Sequence, residues 1–276
     1  IGFWKAQGAQ SKGCHCLWWT DGEYAHLSTG TPDSRPTNPK DDQFYVILDV
    51  KNPSNPVEAG RWHFPGTQEG DSAPPLARHP QFDAGHSLHN ANVYPDRPDR
   101  AYCAWKDSGV VTLDISDKSN ISMLANVNYA PPFPGFTHTV LPLFEREMLV
   151  VTQEAVRQGG EDYPKLVWLM DNRVETNPII TSTLPMADTE DFFNRPGRYG
   201  AHNVYENQPG ETSMRIDEDL VFGTFFNAGI RVFNTKNAFQ PEEVAYFVPE
   251  IPEGADANGI NRSEERRVGK ECRSRW

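Results

Sequence analysis

The chain has 276 residues and a formal net charge of −12 at neutral pH. A surface this acidic repels phosphate backbones and anionic lipid headgroups, which argues against a nucleic-acid or membrane partner. No run approaches the ~18 consecutive apolar residues of a membrane-spanning segment.

In chain order, the first predicted element is cut short. Ile1 opens inside IGFW, which reads as the end of a strand, so the N-terminus is expected to be truncated. A strand pair follows, HCLWWT with EYAHLS, and then the hairpin FYVILDVKNPSNPVEAGRWHF (44–64). The same order recurs three times. HNANVYP and RAYCAW precede VVTLDISDKSNISMLANV (110–127). HTVLPL and EMLVVTQ precede LVWLMDNRVETNPIITSTL (166–184). HNVYEN and DLVFGTFF precede IRVFNTKNAFQPEEVAYFV (230–248). The hairpins align on Asp49, Asp114, Asp171 and Asn234, and six residues later on Asn55, Asn120, Asn177 and Gln240. Pro56, Ile121, Pro178 and Pro241 come next.

A period of roughly 50–75 residues with about four strands per unit predicts an all-β fold, a β-propeller of four-stranded antiparallel blades. The short Asp or Asn side chain closes an Asx turn between two strands. Proline cannot donate to a ladder, so it belongs at the start of the outermost strand. The blades are expected at about 14–65, 89–130, 138–185 and 202–250, together a partial propeller over 1–261. Long Gly/Pro-rich connections at 65–85, 131–136 and 186–200 join them, and loops of that length usually carry function.

The last fifteen residues, RSEERRVGKECRSRW (262–276), read as a translated sequencing adapter and not as native protein. Their net +3 in an acidic chain, once removed, takes the charge from −12 to −15. Cys272 goes with them, leaving Cys14, Cys16 and Cys103, which make no disulfide framework. Alternate residues of a strand share a face, so Cys14 and Cys16 point away from His15 and are expected to be small buried hydrophobes.

The histidines carry the chemistry. His15, His89, His138 and His202 each open the first strand of a unit, where a propeller lines its axial mouth. Neutral imidazoles converging on one point make a transition-metal site. At the ends of the second strands lie Asp107, Glu154 and Asn227. Asp107 and Asn227 are expected to orient the ligands, and Glu154 to orient a ligand or act as general base. His86 is expected to face solvent. Phe82, Phe133, Phe136, Phe192 and Phe193, with Arg195, Arg198 and Tyr199, lie in the connecting loops. Of these, Phe133, Phe136, Phe192, Arg195 and Arg198 are the candidate substrate-binding residues. The same rings serve equally as packing between loops and blade tops. A single structural histidine copied by duplication would give the same phase, and then the propeller is a scaffold or adhesion module. No GxSxG, HExxH, phosphate-cradling glycine loop or dinucleotide fingerprint occurs, so no nucleotide cofactor is expected.

The segments IGFWKAQGAQSKGCHCLWWTDGEYAHLS, YVILDVKNPSNPVEAGRWHFPG, GVVTLDISD, FTHTVLPL with LVVTQEA, and YGAHNVYENQPG with FNAGIRVFN and PEEVAYFVP together resemble a bacterial family of LVIVD-repeat β-propellers. The resemblance spans nearly all of 1–261. It implies further blades before Ile1 and after Asn261, about seven in all, and names a strand sequence but no chemistry. The four-histidine arrangement resembles the iron centre of the carotenoid-oxygenase propellers, whose sequences do not otherwise match. With the aromatic loop residues around the mouth, the expected function is a metal-dependent enzyme acting on a small, aromatic or apolar molecule, with iron favoured over manganese or copper. Oxidation, C–C cleavage, hydration and lactone hydrolysis are all compatible with it.

Overall fold

The computed structural model describes residues 2–6, 13–187, 192–208 and 217–250. The tail at 262–276 and the chain's first residue lie outside them. Among the described residues, fifteen strands form four consecutive antiparallel sheets. The first holds β1 (Cys16–Trp18), β2 (Tyr24–Thr29), β3 (Phe44–Asp49) and β4 (Val57–Trp62), in that order. The second holds β5 (Asn90–Tyr94), β6 (Arg97–Trp105), β7 (Gly109–Asp114) and β8 (Ser122–Val127). The third holds β9 (Thr137–Leu143), β10 (Met148–Gln153), β11 (Val167–Asp171) and β12 (Ile179–Thr183). The last holds β13 (Leu220–Thr224), β14 (Ile230–Asn234) and β15 (Glu242–Phe247). Each sheet is a meander of neighbours in sequence, the blade of a β-propeller. No helix among the described residues is long and apolar enough to cross a membrane.

The fourth sheet departs from expectation. HNVYEN does not become a full strand; Val204 makes an isolated bridge to Gly223, and His202 N–H donates to Thr224 O at 2.9 Å. This inner strand is reduced to a few bonds along the β13 edge.

The repeated turn is built by its Asx residues. The Oδ1 atoms of Asp49, Asp114, Asp171 and Asn234 accept from the backbone N–H two residues on, at 2.9–3.0 Å in all four. Three residues after those openers, the carbonyls of Asn52, Asp117, Val174 and Asn237 accept from Asn55, Asn120, Asn177 and Gln240. The proline, or Ile121, falls immediately before the outermost strand, where no ladder donor is lost. Each third strand also shifts register once against its outer neighbour, at Ile47/Leu48, Thr112/Leu113, Leu169/Met170 and Val232/Phe233. Before the shift, the residues opposite are small: Gly60, Ala125, Ser182 and Ala245.

The chain divides into two compact units, one of Ile1–Val140 with Val174–Asn177, the other of Leu141–Arg173 with Pro178–Trp276. In the first, the two sheets pack face to face: Trp18 Nε1 donates to Val93 O at 2.6 Å, and Trp62 meets Trp105 edge-on at 5.0 Å. Gly60 lies so close to the turn of the next blade that a Cβ there would sit 1.7 Å from Lys118 O. Glu175, on the turn after β11, joins this unit through Arg97 and Arg100, at 2.6 and 3.1 Å. In the second unit, Leu141, Val150, Leu169, Tyr199, Val221 and Phe233 belong to one core. Ser182 Oγ there donates to Ala238 O at 2.7 Å, so its small side chain again meets the following blade's turn.

Candidate metal centre

In the first unit, three of the phased histidines meet. His15 and His89 each stand one residue before their strand, and each donates its backbone N–H to the end of the second strand, to Ser28 O and Ala104 O, both at 2.8 Å. His138 is the second residue of β9. These equivalent positions aim the side chains to one place. The Nε2 atoms of His15 and His89 are 2.8 Å apart, and the rings of His89 and His138 are 4.0 Å apart between centroids. His89 and His138 offer ligand nitrogens within 4.8 Å of each other. His15 is exposed, while His89 and His138 are buried, so the cluster opens to solvent on the His15 side.

The tautomer of His89 is set by its neighbour. Asn90 Oδ1 lies 2.7 Å from His89 Nδ1 and can only accept, so Nδ1 carries the proton and Nε2 a lone pair. His138 Nδ1 similarly meets Thr139 Oγ1 at 2.7 Å. Burial pushes the His89 imidazole well below its usual range; His138, His15 and Lys106 push it the same way, and the Asn90 bond only partly opposes them. His89 is therefore neutral at pH 7, as a metal ligand must be. Octahedral neighbours at an M–N distance of about 2.1 Å lie about 3.0 Å apart, and tetrahedral ones about 3.4 Å. The 2.8 Å between His15 and His89 is close to the first value.

Asp107 orients backbone, not imidazoles. Its carboxylate accepts from Ala84 N at 2.7 Å and Phe136 N at 3.1 Å, tying the loops that lead into His89 and His138. Burial raises its pKa, against the pull of those two bonds. His86 is buried rather than solvent-facing: Nδ1 accepts from Ser108 Oγ at 2.7 Å, and Nε2 donates to Ala77 O at 3.2 Å. Both its nitrogens are thus committed. The 65–85 loop is pinned by Arg78, which pairs with Asp41 and with Asp83. Cys14 is exposed and Cys16 half-buried, contrary to expectation; a short edge strand leaves them uncovered, and Cys103 alone of the three is fully buried.

Phe136 and Phe133 are half-buried. Phe136 stands against His89 at 5.5 Å with its backbone in the left-handed region, φ 67°. Lys106 was not anticipated from the sequence, although a charge ending an Ala- and Cys-rich strand is a signal; its Nζ lies 5.4 Å from the centre of the Phe136 ring. Asn90 and Thr139 are a second such signal, a polar residue following a phased histidine.

In the second unit, Glu154 is buried and pairs with Arg198 Nη1 at 2.9 Å, and its Oε1 lies 3.9 Å from His202 Nε2. His202 stacks on Phe226 at 4.5 Å, and the Arg198 guanidinium covers the same ring at 5.2 Å. Asn227 Nδ2 donates to the carbonyls of Phe192 and Arg195, both at 3.2 Å, holding the loop rather than an imidazole. Phe192 is buried in the core, with the Arg195 and Arg231 guanidinium groups against its ring.

The LVIVD repeat family model matches residues 41–63 and 99–129, the hairpin regions of the first two blades. No curated protein matches the sequence. Among solved structures, a protein from Lactobacillus plantarum aligns over 90% of this chain at 10% identity, with a TM-score of 0.54. The chain spans 60% of that protein's length. A β-propeller domain of Myceliophteria thermophila aligns over 87% of this chain and 75% of its own at 11% identity, TM-score 0.45. A hypothetical selenium-binding protein from Sulfolobus tokodaii aligns over 86% of this chain and 50% of its own at 10% identity, TM-score 0.48.

Proposed function

For this chain, which carries LVIVD repeats on a β-propeller fold, we propose a metal-dependent enzyme acting on a small, apolar or aromatic molecule, with His15, His89 and His138 as metal ligands. The observation that carries this reading is the approach of three histidines from three successive blades, one of them fixed in the tautomer that bares Nε2. Structural histidines would resemble His86, with Nδ1 on Ser108 Oγ, Nε2 on the Ala77 carbonyl and neither nitrogen turned to another imidazole. When bound, a transition-metal ion on neutral nitrogens supplies Lewis acidity and open positions for a substrate or dioxygen. Iron, manganese or copper suits this all-nitrogen donor set better than structural zinc, which takes thiolates, and of the three iron is our first choice. The buried side of the cluster, at His138, excludes water, while the exposed His15 leaves an approach.

A non-catalytic scaffold is the second reading, favoured by the burial of Phe192, a candidate substrate contact, in the core. Metal analysis separates the two. Protein titrated with Fe(II), Mn(II) and Cu(II) should take up about one equivalent, and His89→Ala or His138→Ala should abolish that uptake without loss of the β circular-dichroism signal. Absence of any stoichiometric uptake would leave the scaffold.

A further inference from the structure

One short turn in the first unit holds both approaches to the buried histidine pair. Residues 105–108 run from the end of β6 to the start of β7. Trp105 Nε1 donates to His86 O at 2.7 Å, and Ser108 Oγ meets His86 Nδ1 at the same distance, three residues before His89. Asp107 N donates to Gly85 O at 3.1 Å. On the other side of the pair, Lys106 O accepts from Thr137 N at 2.9 Å, one residue before His138. Thr137 is also held through its hydroxyl, which lies 2.6 Å from Tyr129 Oη.

Asp107 reaches both loops with one side chain. Oδ2 accepts from Ala84 N at 2.7 Å and Oδ1 from Phe136 N at 3.1 Å, five residues before His89 and two before His138. The carboxylate is buried, so these charge-assisted bonds are little weakened by water. Phe136 shows the grip: its φ of 67° is a backbone conformation that a bulky residue keeps only where its surroundings impose it. Gly135 passes so close that a Cβ would lie 2.0 Å from Asp107 Oδ1. In the second unit Asn227, the equivalent residue, likewise holds a loop, donating to the carbonyls of Phe192 and Arg195.

We propose that Asp107 is a positioning residue of the metal centre: by tying both loops with one carboxylate, it fixes the separation of the His89 and His138 ligand nitrogens before an ion binds. The proposal rests on the metal reading given above. Ligands already held in place lose little conformational freedom when the ion arrives, which raises its affinity. Asp107 acts through backbone amides and makes no bond to the ion. A carboxylate offers an acceptor to each loop, whereas an Asn amide offers one acceptor and turns its NH2 group on the other N–H, releasing one loop.

The test follows Cu(II) binding to the full chain by chelator competition, electron paramagnetic resonance and hydrogen exchange. Asp107→Asn should raise the Cu(II) Kd about tenfold or more and change the copper hyperfine splitting, with the β circular-dichroism signal retained. Leu113→Ala, a buried site on β7 paired with Ala101 and Met123, should lower the unfolding midpoint yet leave both copper readings at their wild-type values. An equal loss of affinity in Leu113→Ala would make the effect one of stability and overturn the proposal. The wild-type chain gives a reading that needs no variant. Exchange across 84–89 and 131–138 should slow on Cu(II) addition no more than it does in β6 and β7. Greater slowing there would mean that the ion orders the loops, and would overturn the proposal even if Asp107→Asn failed to fold. Wild-type Kd and spectrum in Asp107→Asn would overturn this inference alone. No Cu(II) uptake by the wild type would overturn it together with the metal reading.

Discussion

His15 Nε2 and His89 Nε2 lie 2.8 Å apart across 74 residues of sequence, each held at the head of its strand by the same backbone bond to the strand beside it. With His89 Nδ1 donating to Asn90, His89 Nε2 can only accept, so His15 Nε2 must donate unless an ion takes both lone pairs. Asn90 therefore decides which nitrogen of His89 meets its neighbours.

Replacing Asn90 with Ala should lower metal affinity about 10- to 100-fold, the usual effect of losing a group that orients a ligand. Competition with a chromophoric chelator measures it. Unchanged affinity would separate the tautomer of His89 from metal binding.

Gly60→Ala should destabilise the protein by more than about 2 kcal/mol, although alanine in a strand ordinarily improves on glycine. The new Cβ would meet the Lys118 carbonyl at 1.7 Å, and that backbone is fixed by the Asp114 and Asp117 turns. Ala245→Gly, at the equivalent but exposed position, should cost less than about 1 kcal/mol. Denaturant unfolding of the two variants tests the contrast.

His26 gives the fold an acid-sensitive limb. Burial is the main reason its pKa is lowered to about 4, with Lys118 adding to the effect and Asp21 opposing it. The unfolded chain takes up the proton near pH 6.5, well before the folded one does. The stabilisation from keeping His26 neutral is thus complete above about pH 6.5 and is lost as pH falls towards 4, up to about 3 kcal/mol. His26→Gln, which can still bond Tyr45 Oη, should flatten that limb by about one proton in the stability–pH slope measured with chelator present. An identical slope in both proteins would refute the assignment.

Glu154 and Arg198 should couple. Arg198→Met leaves a buried carboxylate without its ion partner, and the partial exposure of Arg198 limits the cost to about 1–2 kcal/mol. Combining it with Glu154→Gln should recover part of that loss. A double-mutant cycle with zero coupling would mean that the pair does not hold the second unit's loop.

The repeat was legible in the sequence because its causes are local. An Asx side chain bonding the amide two residues on, a proline before an outer strand and a six-residue spacing are all set by neighbours along the chain. Asp49, Asp114, Asp171 and Asn234 accordingly stand where the alignment puts them. The histidine phase was equally plain, since strand order copies position from blade to blade. What surrounds those histidines was not. Asp107 and Asn227 carry the right chemistry to orient a ring, yet hold backbone amides and carbonyls, and His86 is turned inward by Ser108 and Ala77. The reduced inner strand of the fourth blade and the exposure of Cys14 were not legible either. Partners, burial and the register of Lys106 on Phe136 depend on which loops cover which blade, and only the tertiary structure decides that, because side chains distant along the chain compete for the same donor or face.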